Sequence, residues 1–442
     1  MRIQLSDHFT YCKLFRFTLP PIFMMIFTSV YGVVDGYFVS NYVGKTPFAA
    51  VNLIYPFLML LGAFGFMFGS GGSALIAKTL GEGDKVKAKK LFSLFIYVSI
   101  VLALIIMAAS FFCLRPIAIL LGAEGELIEY CVIYGQILLV ALPFFILQFE
   151  FQTFFITAEK PGLGLFVTIF SGVTNMVLDY VFLAIFDWGL PGAAWATAAS
   201  QIVGGLISLI YFAVPNKSLL RLTTTDIDVK ALIKACTNGA SEFVTNISMS
   251  LVSMLYNFQL MRYAGENGVA AYGVLMYVSF VFVAIFLGYS VGVAPVISFH
   301  FGAKHPKELK NILKKSCIII AVFSVGMLIL GEVLAMPLSK LYVGYDPELF
   351  DMTEKAFFLY SFSFLFTGVG IFGSAFFTAL NDGLVSAIIS FLRTFLFQVV
   401  AVLILPLLLG LEGIWCAVIV AELLATIVTV VFLATKRKKY GY

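Results

Sequence analysis

The chain has 442 residues, of which 61% are hydrophobic and 12% charged, with a net charge of +4 and a mean hydropathy of +1.02. A soluble domain carries roughly 25% charged residues, so this composition excludes a water-soluble enzyme or binding module and describes an integral membrane protein. The small positive balance calls for no nucleic-acid partner, because basic loops suit the anionic inner leaflet of a bilayer.

Apolar runs long enough to cross roughly 30 Å of hydrocarbon recur at 17–40, 48–77, 91–114, 127–155, 162–186 and 190–214. They resume at 231–260, 269–301, 316–338, 350–380, 383–409 and 411–435. Nothing alternates with period two, so these twelve spans are helices rather than barrel strands. The first run is too long for a cleavable signal and lacks a small-residue cleavage site. Lys and Arg concentrate in one set of loops: Arg2, Lys13 and Arg16, then Lys78, Lys85, Lys87, Lys89 and Lys90, Lys160, the connector, the cluster Lys304 to Lys315, and the tail 436–439. The opposite loops hold only Lys45, Arg115, Arg262, Lys340 and Lys355. By the positive-inside rule both termini are expected in the cytoplasm of a cell with this protein in its inner membrane.

The two halves repeat. An offset of 221 residues superposes Tyr42 on Tyr263, Gly44 on Gly265, Gly71 on Gly292, Gly81 on Gly302, Thr157-Ala158 on Thr378-Ala379 and Gly189-Leu190 on Gly410-Leu411. Six helices per half is an even number, so both halves enter from one face and are related by an axis along the membrane normal. The expected fold is all-α: a lobe at 1–214, a polar cytoplasmic connector at 215–230 and a second lobe at 231–442, enclosing a central cavity.

Within the spans the ionisable side chains point to function, since an acid in hydrocarbon is costly and is normally kept for an ion path or coupling site. Asp35 and Asp179 lie in the first and fifth spans. Asn175 and Asp179 are four residues apart and share a helix face. Arg393 and Glu422 lie at similar depths in the last two spans, which suits a structural ion pair. Glu150 and Glu242 either face the cavity and attract a cationic substrate or bond a neighbouring helix. Glu332 and Asp187 sit near the outer surface and are expected to be solvated. Thr28, Gly32, Gly36 and Ser40 recur every four residues, a narrow face through which helix one is expected to approach a neighbour. The three histidines make no metal pattern, and the six cysteines include no CxxC pair. No nucleophile elbow, Walker loop or zincin signature occurs, which argues against an enzyme, a cofactor and ATP as the energy source.

Val34-Asp35-Gly36-Tyr37-Phe38-Val39, with Val43-Gly44 and Ala49-Ala50-Val51, resembles the first helix and loop of the multidrug and toxic compound extrusion (MATE) transporters. Asn175-x-x-x-Asp179-Tyr180, Gly288 to Pro295 with Gly302, and Gly413-Ile414-Trp415 with Glu422 extend the likeness over nearly the whole chain. The resemblance implies export of organic cations and other amphipathic compounds, by a monomer, in exchange for protons or sodium ions. In the prokaryotic branch with its cation site in the N-terminal lobe, the site would be Asp35, Asn175, Asp179 and Thr197. Asp35, Asp179 and Thr197 all lie roughly 7 to 11 Å from the outer ends of their helices at 1.5 Å per residue. Two carboxyls at one level in low dielectric do not both ionise easily, which suits proton exchange, while the Asn and Thr oxygens also suit sodium. The repeat places Tyr256 and Val400 opposite Asp35 and Asp179, so only one lobe is expected to hold this site. A flippase for a lipid-linked sugar is the rival reading; it would be expected to line its cavity with several basic residues, and Arg393 is the one basic residue deep in a span.

Overall fold

The structure, a computed structural model, describes residues 3–344 and 346–442; Arg2 and the side chain of Lys45, both counted in the charge asymmetry, lie outside what it describes. Among the described residues every regular element is helical. The N-terminal lobe contains α1 (Tyr11–Tyr42), α2 (Lys45–Gly81), α3 (Lys85–Leu120), α4 (Glu126–Thr157), α5 (Pro161–Asp179) continued by a π-helical turn (Tyr180–Ile185), and α6 (Gly189–Ala213). The C-terminal lobe contains α7 (Val229–Gly302), α8 (Pro306–Val343), α9 (Pro347–Ser361), α10 (Phe364–Ala379), α11 (Gly383–Phe391), a second π-helical turn (Leu392–Leu396), α12 (Phe397–Leu409) and α13 (Leu411–Tyr440).

Three of the twelve spans take an unexpected form. The seventh and eighth run together as the 74-residue α7, about 111 Å at 1.5 Å per residue, far more than a bilayer accommodates in one crossing. Its two arms meet at Gly265, where φ is 60° and ψ −149°, a conformation open to glycine and strained for other residues. The tenth span is broken into α9 and α10, which bend by 50°. With α7 long enough to cross twice and the bent pair taken as one span, the described helices are long and apolar enough for twelve crossings.

Glycines bring the lobes together in backbone contact. A Cβ at Gly81 would stand 2.0 Å from the Phe299 carbonyl oxygen, and one at Gly302 would stand 2.0 Å from that of Lys78. Residues 78 and 299, like 81 and 302, are repeat mates, so each contact is the other's copy about the pseudo-two-fold axis. Further along the same interface Gly239 meets the Met67 backbone and Gly288 the Ile22 backbone. The Gly81 and Gly302 contacts lie at the end of the bundle that carries both termini, where Phe301 also meets Tyr440 edge to face.

The N-terminal segment closes the same end. Leu5 and Phe9 are fully buried. The Leu5 N–H donates to Glu159 Oε1 at 2.8 Å, on the turn between α4 and α5. The Phe9 N–H donates to Glu308 Oε1 at 2.9 Å, His8 Nδ1 pairs with Glu308 Oε2 at 2.6 Å, and Lys315 Nζ donates to the Phe9 carbonyl at 2.6 Å. One strap therefore holds an N-lobe turn and the start of α8.

Candidate functional site

Asp35 projects from the second half of α1, away from the end of the bundle that carries both termini. Its helix is seated against α5 at Gly172, where an added Cβ would meet the Phe27 ring at 2.5 Å and the Tyr31 ring at 3.2 Å. The small face on α1 behaves differently from the sequence expectation: nothing lies within 4 Å of Gly32 or Gly36, so that face borders open space instead of a neighbouring helix.

Around Asp35 the lobe gathers oxygen. Asp35 faces Asp179, Asn175 and Thr197. Thr197 Oγ1, on α6, lies at the outer limit of a hydrogen bond, 3.5 Å from Asp35 Oδ1. Asn175 and Asp179, one turn apart at the end of α5, are 1% and 0% exposed, and neither the Asn175 amide nor the two Asp179 carboxyl oxygens has a well-formed hydrogen bond. Asp35 and Thr197 are half-buried, so the cluster has a sealed side and an accessible one. Immediately after Asp179 the chain enters the π-helical turn Tyr180–Ile185, a widened turn that often marks functional positions.

Sequence reasoning missed Tyr134. Its phenol, fully buried on α4, lies against Thr197 and faces both carboxyls; Tyr31 and Tyr55 are also near enough to Asp35 to feel its charge. No basic side chain is among the groups that act on Asp35 and Asp179. Buried polar atoms without partners cost of order 1–3 kcal/mol each, and a carboxyl and amide set in this way is a shape that a small hard cation relieves, since such ions take oxygen ligands. A proton on one carboxyl relieves it as well. Among the described residues no three His, Cys, Asp or Glu side chains cluster as a metal site.

The other ionisables are dispersed. Glu150 is fully buried with both carboxyl oxygens unbonded, enclosed between α2 and α3: it faces Ser99, and a Cβ at Gly69 would lie 3.1 Å from its Cα. Its carboxyl has no exposed surface in this state. Glu242 is half-buried on α7 and faces Arg393. Arg393, on the second π-helical turn, donates through Nε to both oxygens of Glu422 at 3.1 Å, with side chains 12% and 7% exposed. Gly370 makes room, since a Cβ there would stand 2.6 Å from Arg393 Cδ. Asp187 is exposed, whereas one oxygen of Glu332 is buried and unbonded rather than solvated.

In the C-terminal lobe the place that corresponds to Asp35 is filled. Tyr256 is buried, its hydroxyl donates to Gln398 Oε1 at 2.8 Å, and its ring stacks on Tyr272 with centroids 5.4 Å apart. The positions matching Asn175, Asp179 and Thr197 are Leu396, Val400 and Val418, none of which offers a side-chain oxygen.

A protein-family model described as MatE matches residues 20–181 and 243–404, one stretch in each lobe. Multidrug export protein MepA of Staphylococcus saprophyticus is 28% identical over 361 residues, covering 80% of each chain. MepA of Staphylococcus haemolyticus is 27% identical over 412 residues, 92% of this chain and 89% of its own. Among solved structures, the outward-facing conformation of a multidrug resistance MATE family transporter of the MOP superfamily superposes with a TM-score of 0.93 at 22% identity, covering 98% of this chain and 97% of that one. A MOP superfamily transporter from Pyrococcus furiosus, distinguished by a reversed polarity of its binding pocket, superposes with a TM-score of 0.91 at 21% identity over 98% of both chains. Those likenesses establish the two-lobed fold.

Proposed function

The chain belongs to the MatE family and is a multi-pass multidrug efflux transporter, and from that premise we propose that it is an antiporter that couples export of organic cations to entry of protons or sodium ions. The observation that supports this reading is the oxygen cluster of Asp35, Asn175, Asp179 and Thr197, in which the buried Asn175 and Asp179 side chains lack hydrogen-bond partners while Asp35 and Thr197 are half-buried on the accessible side. Asp35 and Thr197 receive the coupling ion from the accessible side, and Asp179 and Asn175 hold it. A ligand shifts a conformational equilibrium only through its differential affinity for the two states. The bound ion therefore favours whichever arrangement of α1, α5 and α6 completes its coordination, and the lobes alternate their access as it comes and goes.

The substrate enters between the lobes, where Glu242 attracts positive charge and aromatic and Met side chains adapt to flat hydrophobic cations. The transporter works as a monomer in the inner membrane with both termini cytoplasmic, and it needs no nucleic acid and no cofactor beyond its coupling ion. The MepA relatives are multidrug exporters by name, which supports drug export over lipid flipping. So does Arg393, the deep basic residue, whose Nε is committed to Glu422; a pyrophosphate cavity calls for several free cations.

Ethidium accumulation in proteoliposomes, driven in turn by an imposed pH gradient and a sodium gradient, tests the proposal. Asp35→Asn and Asp179→Asn keep the shape of the side chains but not their charge, and each is expected to abolish uphill transport at wild-type expression. Wild-type accumulation by either variant removes the coupling role.

A further inference from the structure

One turn below Asn175, on the same face of α5, sits Ser171. It accepts a hydrogen bond from Gln148 Nε2 of α4 at 3.2 Å and donates one to the Ser200 carbonyl of α6 at 2.7 Å. Ser200 Oγ in turn donates to the Thr197 carbonyl at 2.9 Å. All three side chains are buried. Among the described residues no other side-chain hydrogen bond joins α5 to α4 or α6. On the far side of the cation cluster α5 opens into the π-helical turn Tyr180–Ile185, which carries an extra residue and so ties the phase of Asp179 only weakly to the chain beyond Ile185. The rotation and depth of α5 at the site are therefore set from below, at Ser171.

The second lobe joins the equivalent helices differently. The repeat mates of Gln148, Ser171 and Ser200 are Val369, Leu392 and Ala421, so this tie is absent there, and α11 is held to α10 through Ser374, Ser386 and Ser390 instead. Gly204 fits the same pattern: a Cβ there would meet Gln148 Cδ at 2.8 Å and Nε2 at 3.0 Å, and its repeat mate is Ala425.

We propose that Gln148 and Ser171 are positioning residues of the cation site: with the Ser200 carbonyl they lock α5 between α4 and α6, so that Asn175 and Asp179 meet Thr197 and Asp35 at one level. They touch no ion themselves and act through the residues that do. The inference rests on the coupling role proposed for the Asp35 cluster. Outer partners of this kind cost a bound ion about 10- to 100-fold in affinity when removed.

The test measures ethidium transport in proteoliposomes as a function of external pH and, separately, of sodium concentration. For Ser171→Ala and Gln148→Leu the half-saturating concentration of the driving ion is expected to rise about tenfold, a shift of about one pH unit to the acid side where protons drive, with the maximal rate within about twofold of wild type. The double variant is expected to be no worse than the poorer single one, because both act on one tie, and Ser171→Thr, which keeps the hydroxyl, should restore the midpoint. A lowered maximal rate or yield with an unmoved midpoint overturns the positioning role and leaves helix packing in its place. Asp179→Asn run alongside separates the two readings: uphill transport in that variant removes the coupling site itself, whereas a dead Asp179→Asn beside wild-type midpoints in Ser171→Ala and Gln148→Leu removes the positioning role alone.

Discussion

Replacing Gly81 with alanine, or its repeat mate Gly302, places one methyl group against the backbone of the opposite lobe. The new Cβ would stand 2.0 Å from a carbonyl oxygen in either case, about 1 Å inside the closest approach that real Cβ atoms make, and neither partner is a flexible side-chain tip that can swing aside. The helices must part at the terminal end. Overpacking of this size costs about 1–3 kcal/mol, and because it penalises only the state in which these backbones touch, it transfers to the conformational equilibrium as about a 5- to 150-fold shift toward separated terminal ends. Double electron–electron resonance between spin labels at Lys87→Cys and Lys310→Cys, both exposed on opposite lobes, reads that separation directly. The distance distribution of Gly81→Ala and Gly302→Ala should move to longer values. Gly326→Ala, with nothing within 4 Å of the added methyl, should leave it in place. A distribution in Gly81→Ala that matches wild type would refute the idea that these contacts seal the lobes.

Removing one partner of the buried Arg393–Glu422 pair should lower stability by about 3–5 kcal/mol, whereas the double variant Arg393→Met with Glu422→Leu should recover most of it; thermal unfolding in detergent checks both. Glu308→Ala removes the acceptor shared by His8 and the Phe9 N–H, so amide exchange across 5–9 should rise with little change elsewhere. Burial by itself raises the Asp382 carboxyl, but the Tyr440 hydroxyl, Lys439, the Val385 N–H and Lys436 outweigh it and hold it below its ordinary 3.8. A depressed carboxyl contributes stability above its ordinary value and loses it as pH falls through the folded one, so the protection of amides at 436–442, taken relative to their intrinsic exchange rates, should stay constant from neutral pH down to about 4 and fall below that, and Asp382→Asn should lower it at pH 7. Tyr256→Asp should not rescue transport in Asp35→Asn, because Leu396, Val400 and Val418 supply no partner oxygens; recovered uphill accumulation in the double variant would show the lobes to be interchangeable.

The twelve crossings and the repeat were legible because they rest on quantities that sequence carries directly, namely run length in hydrocarbon and glycines in register. Gly81 and Gly302 could be paired at an offset of 221 from sequence alone; that each touches the partner of the other could not, since this depends on where the axis passes. The Asp35 cluster was legible in part, because acids in hydrocarbon are rare and Asn175 and Asp179 share a helix face. Tyr134 was not, as one Tyr among 20 carries no signal until its neighbours are known. The small face of α1 misled for a related reason: spacing shows that a close approach is possible, but Gly32 and Gly36 border space. Helix breaks divide in the same way. Gly265 lies in a predicted loop, whereas the bend between α9 and α10 has no proline or glycine at Phe362 or Ser363 to announce it.

Duplication gives the two lobes one backbone plan, and the plan by itself is indifferent to chemistry. What differs is how the same places are filled. At the level of the Asp35 cluster the N-terminal lobe sets an acid on α1, an acid and an amide on α5 and a hydroxyl on α6, with the two α5 groups short of hydrogen bonds; the C-terminal lobe sets Tyr256, which fills the space and satisfies its own hydroxyl on Gln398. Deeper in the lobes the relation reverses: Arg393 and Glu422 neutralise each other, while their repeat mates Gly172 and Gln201 carry no charge. Arg393 and Glu422, already paired, have little to gain from a passing cation, whereas Asp35 and Asp179, with no basic side chain acting on them, have much. In the coupling proposed above, ion binding acts on one half of a symmetric frame, and the backbone contacts at Gly81 and Gly302 are the place where a one-sided change would reach the other half.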